Sequence, residues 1–383
     1  LAFVAGMSIL TACSSDDNND NDGNGGNGNG NEIENGTILK GTITSDVTLA
    51  AGNTYKLSGE YIVEEGATLH IEEGVKIIAV YDDIADYILV KQGGKINAVG
   101  TPDKPIVMTS EKEEPGAWGG IHICGRAHTN AEGGKGSSEI GGAVYGGNDD
   151  ADNSGTLQYI RLEYTGFAFD EEHEANGISF YGVGNGTIVD HCQAYKGSDD
   201  GFEFFGGSVN VSNLVAVSCS DDSFDWTEGW NGKGTNLVAY QEAESTLGYD
   251  CDCLMECDNN GSNNAATPVA HPVLKNLILV GNGGSKQGIR LRAGTEVEID
   301  NAKVCGKGQP LTVETALTEN ALKNGTSKLT NITLTSELSC KEGIYTHADF
   351  IAVTSNKVDA NLSYSSFEDI KKECSWMNGN WVK

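Results

Sequence analysis

Residues 198–229 state one pattern twice, and that repetition restricts the fold more than any other feature of the chain. Asp199-Asp200-Gly201-Phe202-Glu203-Phe204 returns 22 residues later as Asp221-Asp222-Ser223-Phe224-Asp225-Trp226. Self-similarity at a fixed period of about 20–50 residues is the signature of stacked repeats, each burying its apolar face against the next. Each copy puts an acidic turn ahead of a short strand in which aromatic and acidic residues alternate.

A second series keeps the same step. Asn213-Leu-Val-Ala-Val, Asn236-Leu-Val-Ala-Tyr, Asn276-Leu-Ile-Leu-Val, Asn301-Ala-Lys-Val and Asn331-Ile-Thr-Leu are separated by 23, 40, 25 and 30 residues, and His191 holds the equivalent place 22 before the first. One turn of a coil therefore takes about 22–25 residues, with insertions where the step is longer. Stacked Asn side chains can hydrogen-bond up and down such a coil, so the series predicts an amide ladder.

The acidic strands align as Gly177-Ile-Ser-Phe, Gly201-Phe-Glu-Phe, Ser223-Phe-Asp-Trp, Cys253-Leu-Met-Glu and Gly288-Ile-Arg-Leu. Side chains alternate across a strand, so the second and fourth residues face the core and the third faces outward. The outward set is Ser179, Glu203, Asp225, Met255 and Arg290. Glu256 breaks the inward pattern, which leaves a bulge or a one-residue shift of register at that strand. In this alignment Asp200 stacks near Asp222 and Asp252, Asp199 near Asp221, and Glu203 near Asp225. The expected fold is all-β: a single-stranded right-handed parallel β-helix over 37–383, ending near Leu362. A short helix is expected at 315–322, and the segment holding Trp376 and Trp381 should cap the last turn.

The N-terminus reads differently. Residues 1–12 are apolar, too short to span a bilayer, and end in small residues as a signal peptide does. Leu10-Thr11-Ala12-Cys13 resembles a bacterial lipobox, which makes Cys13 the expected lipidation site. Residues 14–31 contain no apolar side chain, so 13–36 is read as a flexible tether. An acidic run directly after the lipobox Cys resembles the surface-export signal of Bacteroidetes lipoproteins. That likeness implies an outer-membrane protein on the cell surface, attached to the membrane through its lipid alone.

The body carries a family likeness too. Gly93-Gly-Lys-Ile-Asn-Ala-Val-Gly-Thr-Pro-Asp-Lys-Pro-Ile, Gly116-Ala-Trp-Gly-Gly-Ile-His-Ile, Tyr145-Gly-Gly-Asn-Asp and Ser154-Gly-Thr-Leu-Gln-Tyr-Ile-Arg-Leu-Glu-Tyr, with the doubled acidic motif, resemble Bacteroidetes surface lipoproteins and secreted proteins. Those proteins have a right-handed, pectin-lyase-like parallel β-helix. The resemblance implies the fold and no particular activity.

Charge narrows the partners. A net charge of −30 argues against nucleic acid and anionic membrane surfaces, both of which need Lys and Arg. Nine Cys follow Cys13, an odd number that leaves at least one thiol unpaired. Cys251-x-Cys253-x₃-Cys257 lacks the second half of a zinc knuckle and reads as buried thiols or a local disulfide. The His residues show no HExxH-like grouping.

The candidate site is the acidic ridge. Carboxylates one strand apart, about 4.8 Å, repel by roughly 0.9 kcal/mol in water and about 3.5 at an effective dielectric of 20. Protons or a cation would relieve them, and Ca²⁺ suits such oxygens. Asp199, Asp200, Glu203, Asp221, Asp222 and Asp225 are the expected metal ligands. The alternative is a solvated ridge whose Asp residues serve turns. Three functions follow from the ridge. A monomeric binding module would hold a polysaccharide or another envelope component through Trp226, Trp230 and Tyr249. A polysaccharide lyase would need a cation and a base, for which Arg290 and Arg292 are candidates; a glycoside hydrolase would use paired carboxylates drawn from Asp199, Asp200 and Asp222. A structural or adhesive rod would have no site.

Overall fold

A left-handed residue turns the chain at the same corner of successive rungs. Tyr159, His191, Asn213, Asn236, Asn276, Asn301 and Asn331 all have φ between 51° and 63°. That conformation crowds Cβ, and Asn tolerates it better than most L residues. Each such residue bends one long strand into two halves that belong to different faces of the coil. Gly155–Glu163, Ile188–Tyr195, Asn210–Val217, Lys233–Tyr240, Val273–Val280, Glu298–Cys305 and Lys328–Leu334 stack in this way, every pairing parallel. A third face carries Ile178–Tyr181, Phe202–Phe205, Phe224–Thr227, Met255–Cys257, Gln287–Leu291 and Gln309–Val313, again all parallel. The chain is thus a right-handed parallel β-helix with three faces. The computed structural model describes residues 31–82, 84–169 and 173–383; the expected signal segment 1–12, Cys13 and most of the tether lie outside them.

Coiling begins six residues before the expected start, since Asn31–Ile33 pairs with Val47–Leu49. One core runs from Leu39 to Phe350 through the interior. Its acid-face side is aromatic: Phe202 lies over Phe224 at 5.6 Å between ring centroids, as the doubled motif requires, and Phe180 over Phe204 at 5.0 Å. The amide ladder exists. Asn236 Nδ2 donates to Asn213 Oδ1 (2.8 Å), Asn276 to Asn236 (3.0 Å) and Asn301 to Asn276 (2.9 Å). Asp carboxylates enter at both ends: Asn213 donates to Asp190, and Asn331 to Asp300 rather than to Asn301.

The inserted helix spans Ala316–Asn324. The end of the coil is covered by the helix His347–Ala352, whose Phe350 is fully buried in the core. Trp376 and Trp381 do not lie there. Residues 359–383 run back along the outside of the face formed by the second strand halves, packing Ile370, Met377 and Trp381 on Val215, Val217, Val238, Ile278 and Val280. These aromatics are structural as expected, but they form a lateral strap. All nine described cysteines are free thiols, eight of them buried.

Candidate functional site

The two Asp of each acidic turn do different work. The second, Asp200 or Asp222, is buried and accepts the amide N–H of the following rung: Asp222 N–H donates to Asp200 Oδ1 (2.8 Å) and Cys253 N–H to Asp222 Oδ1 (2.6 Å). Asn176 does the same on the preceding rung, its Oδ1 accepting from Asp200 N–H at 3.2 Å. The first Asp, Asp199 or Asp221, turns toward the outside.

The third copy departs from the expected alignment by one residue. Asp225 pairs with Glu256 and Trp226 with Cys257, so Met255 is buried in the core and Glu256 stands outward. Cys253 therefore succeeds Asp222, and Asp252 follows Asp221. The run Cys-Leu-Met-Glu-Cys supports either parity, and burial of the Met with solvation of the Glu decides it.

The outer column of this face now reads His122, Ser179, Glu203, Asp225, Glu256, Arg290, Thr312 on consecutive strands. Its middle is a contiguous patch of carboxylates. Oxygens of Asp199, Asp200 and Asp221, of Asp200, Glu203 and Asp225, and of Asp222, Asp225 and Glu256 lie within 4.8 Å of one another in each set; Asp222, Asp252 and Cys253 form a fourth. All six expected ligands are thus brought together, joined by Glu256 and Asp252.

Like charges in partial burial favour the proton-bound form. Asp199 is pushed up to about 8, by burial first and then by Asp221, Glu174 and Glu139. Burial and the neighbouring carboxylates hold Asp200, Glu203, Asp222 and Asp225 well above the ordinary range. Glu139, pushed up to about 7 by burial, and Glu174 come from segments laid over the outer face. Ile140, Ala143, Tyr145 and Ala175 of that cover pack on Tyr87, Leu89, Tyr181 and Phe205, walling off the ridge at its N-terminal side. No repeat announces Glu139 or Glu174 in the sequence.

The expected aromatic contacts fail. Trp226 and Trp230 are 0% and 1% exposed, and Trp230 stacks on Phe204 inside the core at 4.1 Å. Trp226 follows the inward parity of its strand, and Trp230 fills the space beside it. Tyr249 is half-buried, with its hydroxyl donating to Ser218 O at 2.7 Å. Phe169 is 39% exposed, with its ring 5.9 Å from that of Tyr87 and 5.2 Å from that of Phe167.

Arg290 and Arg292 are on this face but occupied. Arg290 reaches Glu256 (2.9 Å) and Glu314 (3.1 Å); Arg292 reaches Glu256 (2.7 Å) and Asp258 (2.7 Å). Burial opposes the charge on Arg290, and the bonds to Glu314 and Glu256 outweigh it, so its pKa lies above the ordinary arginine value. Both guanidinium groups, the candidate bases of a lyase, are thus engaged by carboxylates of their own face.

Lys286 pairs with Asp252 at the edge of the ridge, whereas Glu203 and Asp225 form no salt bridge among the described residues. The unbalanced oxygens are closely spaced, hard donors, a set that suits Ca²⁺ or a similar cation. Residues 41–383 match the family model described as a pectate-lyase-like beta helix domain. No curated protein and no solved structure matches the chain.

Proposed function

The chain belongs to the pectate-lyase-like β-helix family, and from that premise we propose that it is a binding module whose acidic ridge takes calcium. Asp199, Asp200, Glu203, Asp221, Asp222 and Asp225 would hold the ion, with Glu256 at the margin. A bound cation neutralises the ridge and offers open coordination positions to hydroxyl or carboxylate groups of a ligand. The ligand class is a polysaccharide or another envelope component, met at the cell surface by a protein anchored through lipid on Cys13.

One observation carries this reading. Carboxylates accumulate across three rungs with little basic compensation, while both arginines of the same face are spent on Glu256, Asp258 and Glu314. That favours cation binding over base-catalysed elimination. A hydrolase is the second reading, favoured by the spread of carboxyl pKa values that leaves Asp199 protonated near neutrality.

Calorimetry tests the cation. Calcium at a hundredfold excess over Kd should stabilise the protein by about 2.7 kcal/mol, and chelator should remove the effect. Asp200→Asn with Asp222→Asn keeps the Oδ1 acceptors of the rung contacts and removes two charges, so the calcium response should largely vanish while the fold persists. A parent indifferent to calcium sinks the metal site. Release of reducing ends from a polysaccharide panel would promote the hydrolase; unsaturated-sugar absorbance would restore the lyase.

A further inference from the structure

Away from the ridge's outer column, a lysine lies buried where a cation has little reason to be. Lys307 is 4% exposed and follows the strand Glu298–Cys305. Its stem crosses Gly281 so closely that a Cβ there would lie 2.5 Å from Lys307 Cγ. Nζ donates to Cys251 O (2.9 Å) and to the side-chain Oδ1 of Asn282 (3.1 Å). Asn282 belongs to the preceding rung, since Val280 pairs with Cys305. Its Nδ2 donates to Asp250 Oδ1 at 3.3 Å, and its Oδ1 also accepts the Gly284 N–H at 3.4 Å.

We propose that Lys307 and Asn282 join in an intramolecular isopeptide bond between adjacent rungs, with Asp250 positioning the carboxamide. The arrangement holds an amine against a carboxamide, fixes the amide face through Asp250, and aims a backbone N–H at the oxygen that gains charge during attack. Burial moves Lys307 below the ordinary lysine value, against the pull of Asp250, which raises the fraction of neutral amine at a given pH.

The step balances without any further reactant. The Nζ lone pair attacks Asn282 Cγ, a C–N bond forms, and the negative charge passes to Oδ1, where Gly284 N–H receives it. Nζ gives up one proton and Nδ2 takes one up, beside the Asp250 carboxylate that holds Nδ2. The Cγ–Nδ2 bond then breaks, and nitrogen leaves as ammonia. One carboxamide and one amine become one secondary amide and one ammonia, with no change in oxidation state.

Mass spectrometry of the purified full chain reads the result. The parent should be lighter than its composition by one ammonia, and its tryptic digest should contain a branched peptide joining residues 282 and 307. Lys307→Arg and Asn282→Ala should each restore the mass expected for the substituted chain, and Asp250→Ala should slow the loss at least tenfold. Asn282 precedes Gly283, so ring closure to a succinimide also releases ammonia. That product would persist in Lys307→Arg and be cleaved by hydroxylamine, and finding it overturns the proposal. So does a parent of full mass after prolonged incubation at mildly alkaline pH.

Discussion

Asn236 meets two demands with one side chain. Its backbone stands at φ 60°, and its amide donates to Asn213 while accepting from Asn276. Substitutions separate the two. Asn236→Gly keeps the backbone and loses two hydrogen bonds, which costs about 1–3 kcal/mol. Asn236→Val loses the bonds and adds left-handed strain of about 1–2 kcal/mol, so its denaturant midpoint should fall further than that of the Gly variant. Equal midpoints would mean that the corner imposes no backbone demand. This residue was legible because a strained corner accepts few side chains and repeats them. Trp226 and Trp230 were not: a large aromatic next to acidic residues suits a core stack and a ligand platform equally, and only packing separates them.

At the scale of the strand, the acid face divides its carboxylates between rung bonds and open charge. Alternation in Phe-Glu-Phe and Phe-Asp-Trp gave away which side each residue faced. The Cys-Leu-Met-Glu-Cys strand lacks that alternation, and Glu139 and Glu174 reach the site from inserted segments, so their share of it was hidden. The division has a pH signature. Asp199 has its folded-state value raised to about 8, above the ordinary carboxyl range of the unfolded chain. A raised carboxyl binds its proton more tightly when folded. Its contribution is therefore complete below the unfolded value and disappears as pH rises through the folded one. Calcium-free protein should lose stability between about pH 5 and pH 8, and added calcium should restore more at the upper limit than at the lower. Denaturant midpoints at both limits, with calcium and with chelator, measure this. Stability that climbs over the same range would mean that the ridge is already compensated by the protein.

The whole molecule departs from a simple solenoid in its strap. Repeats normally touch only their neighbours. Here Lys303 holds Glu373 and Tyr364 near one end of the strap, while at the other Asn380 N–H donates to Pro102 O (2.7 Å) and Arg161 donates to Asn380 O (2.7 Å). Lys383 completes the far attachment on Glu163 (3.1 Å), with its own amide on Gln193 Oε1 (2.8 Å). Trp381→Ala should cost about 3–5 kcal/mol, as emptying a large buried site does. It should also broaden unfolding, because rungs far apart in sequence lose their shared contact; hydrogen exchange should rise along both 188–195 and 233–240. Loss of protection confined to the strap would leave the rungs independent of it.

These two attachments also make the strap a gauge. Its length between Glu373 and Lys383 is fixed by the chain, and the distance it spans is fixed by the number of rungs between the strands that hold Lys303 and Glu163. Repeat proteins change size by gaining or losing whole turns, each of about 4.8 Å along the stack. One added turn between those strands would move the far sockets by more than the 2.7 Å length of the bonds that hold them, so the strap could follow only by opening its turn at Ser375–Met377. A fold that could take any length thereby acquires a preferred one.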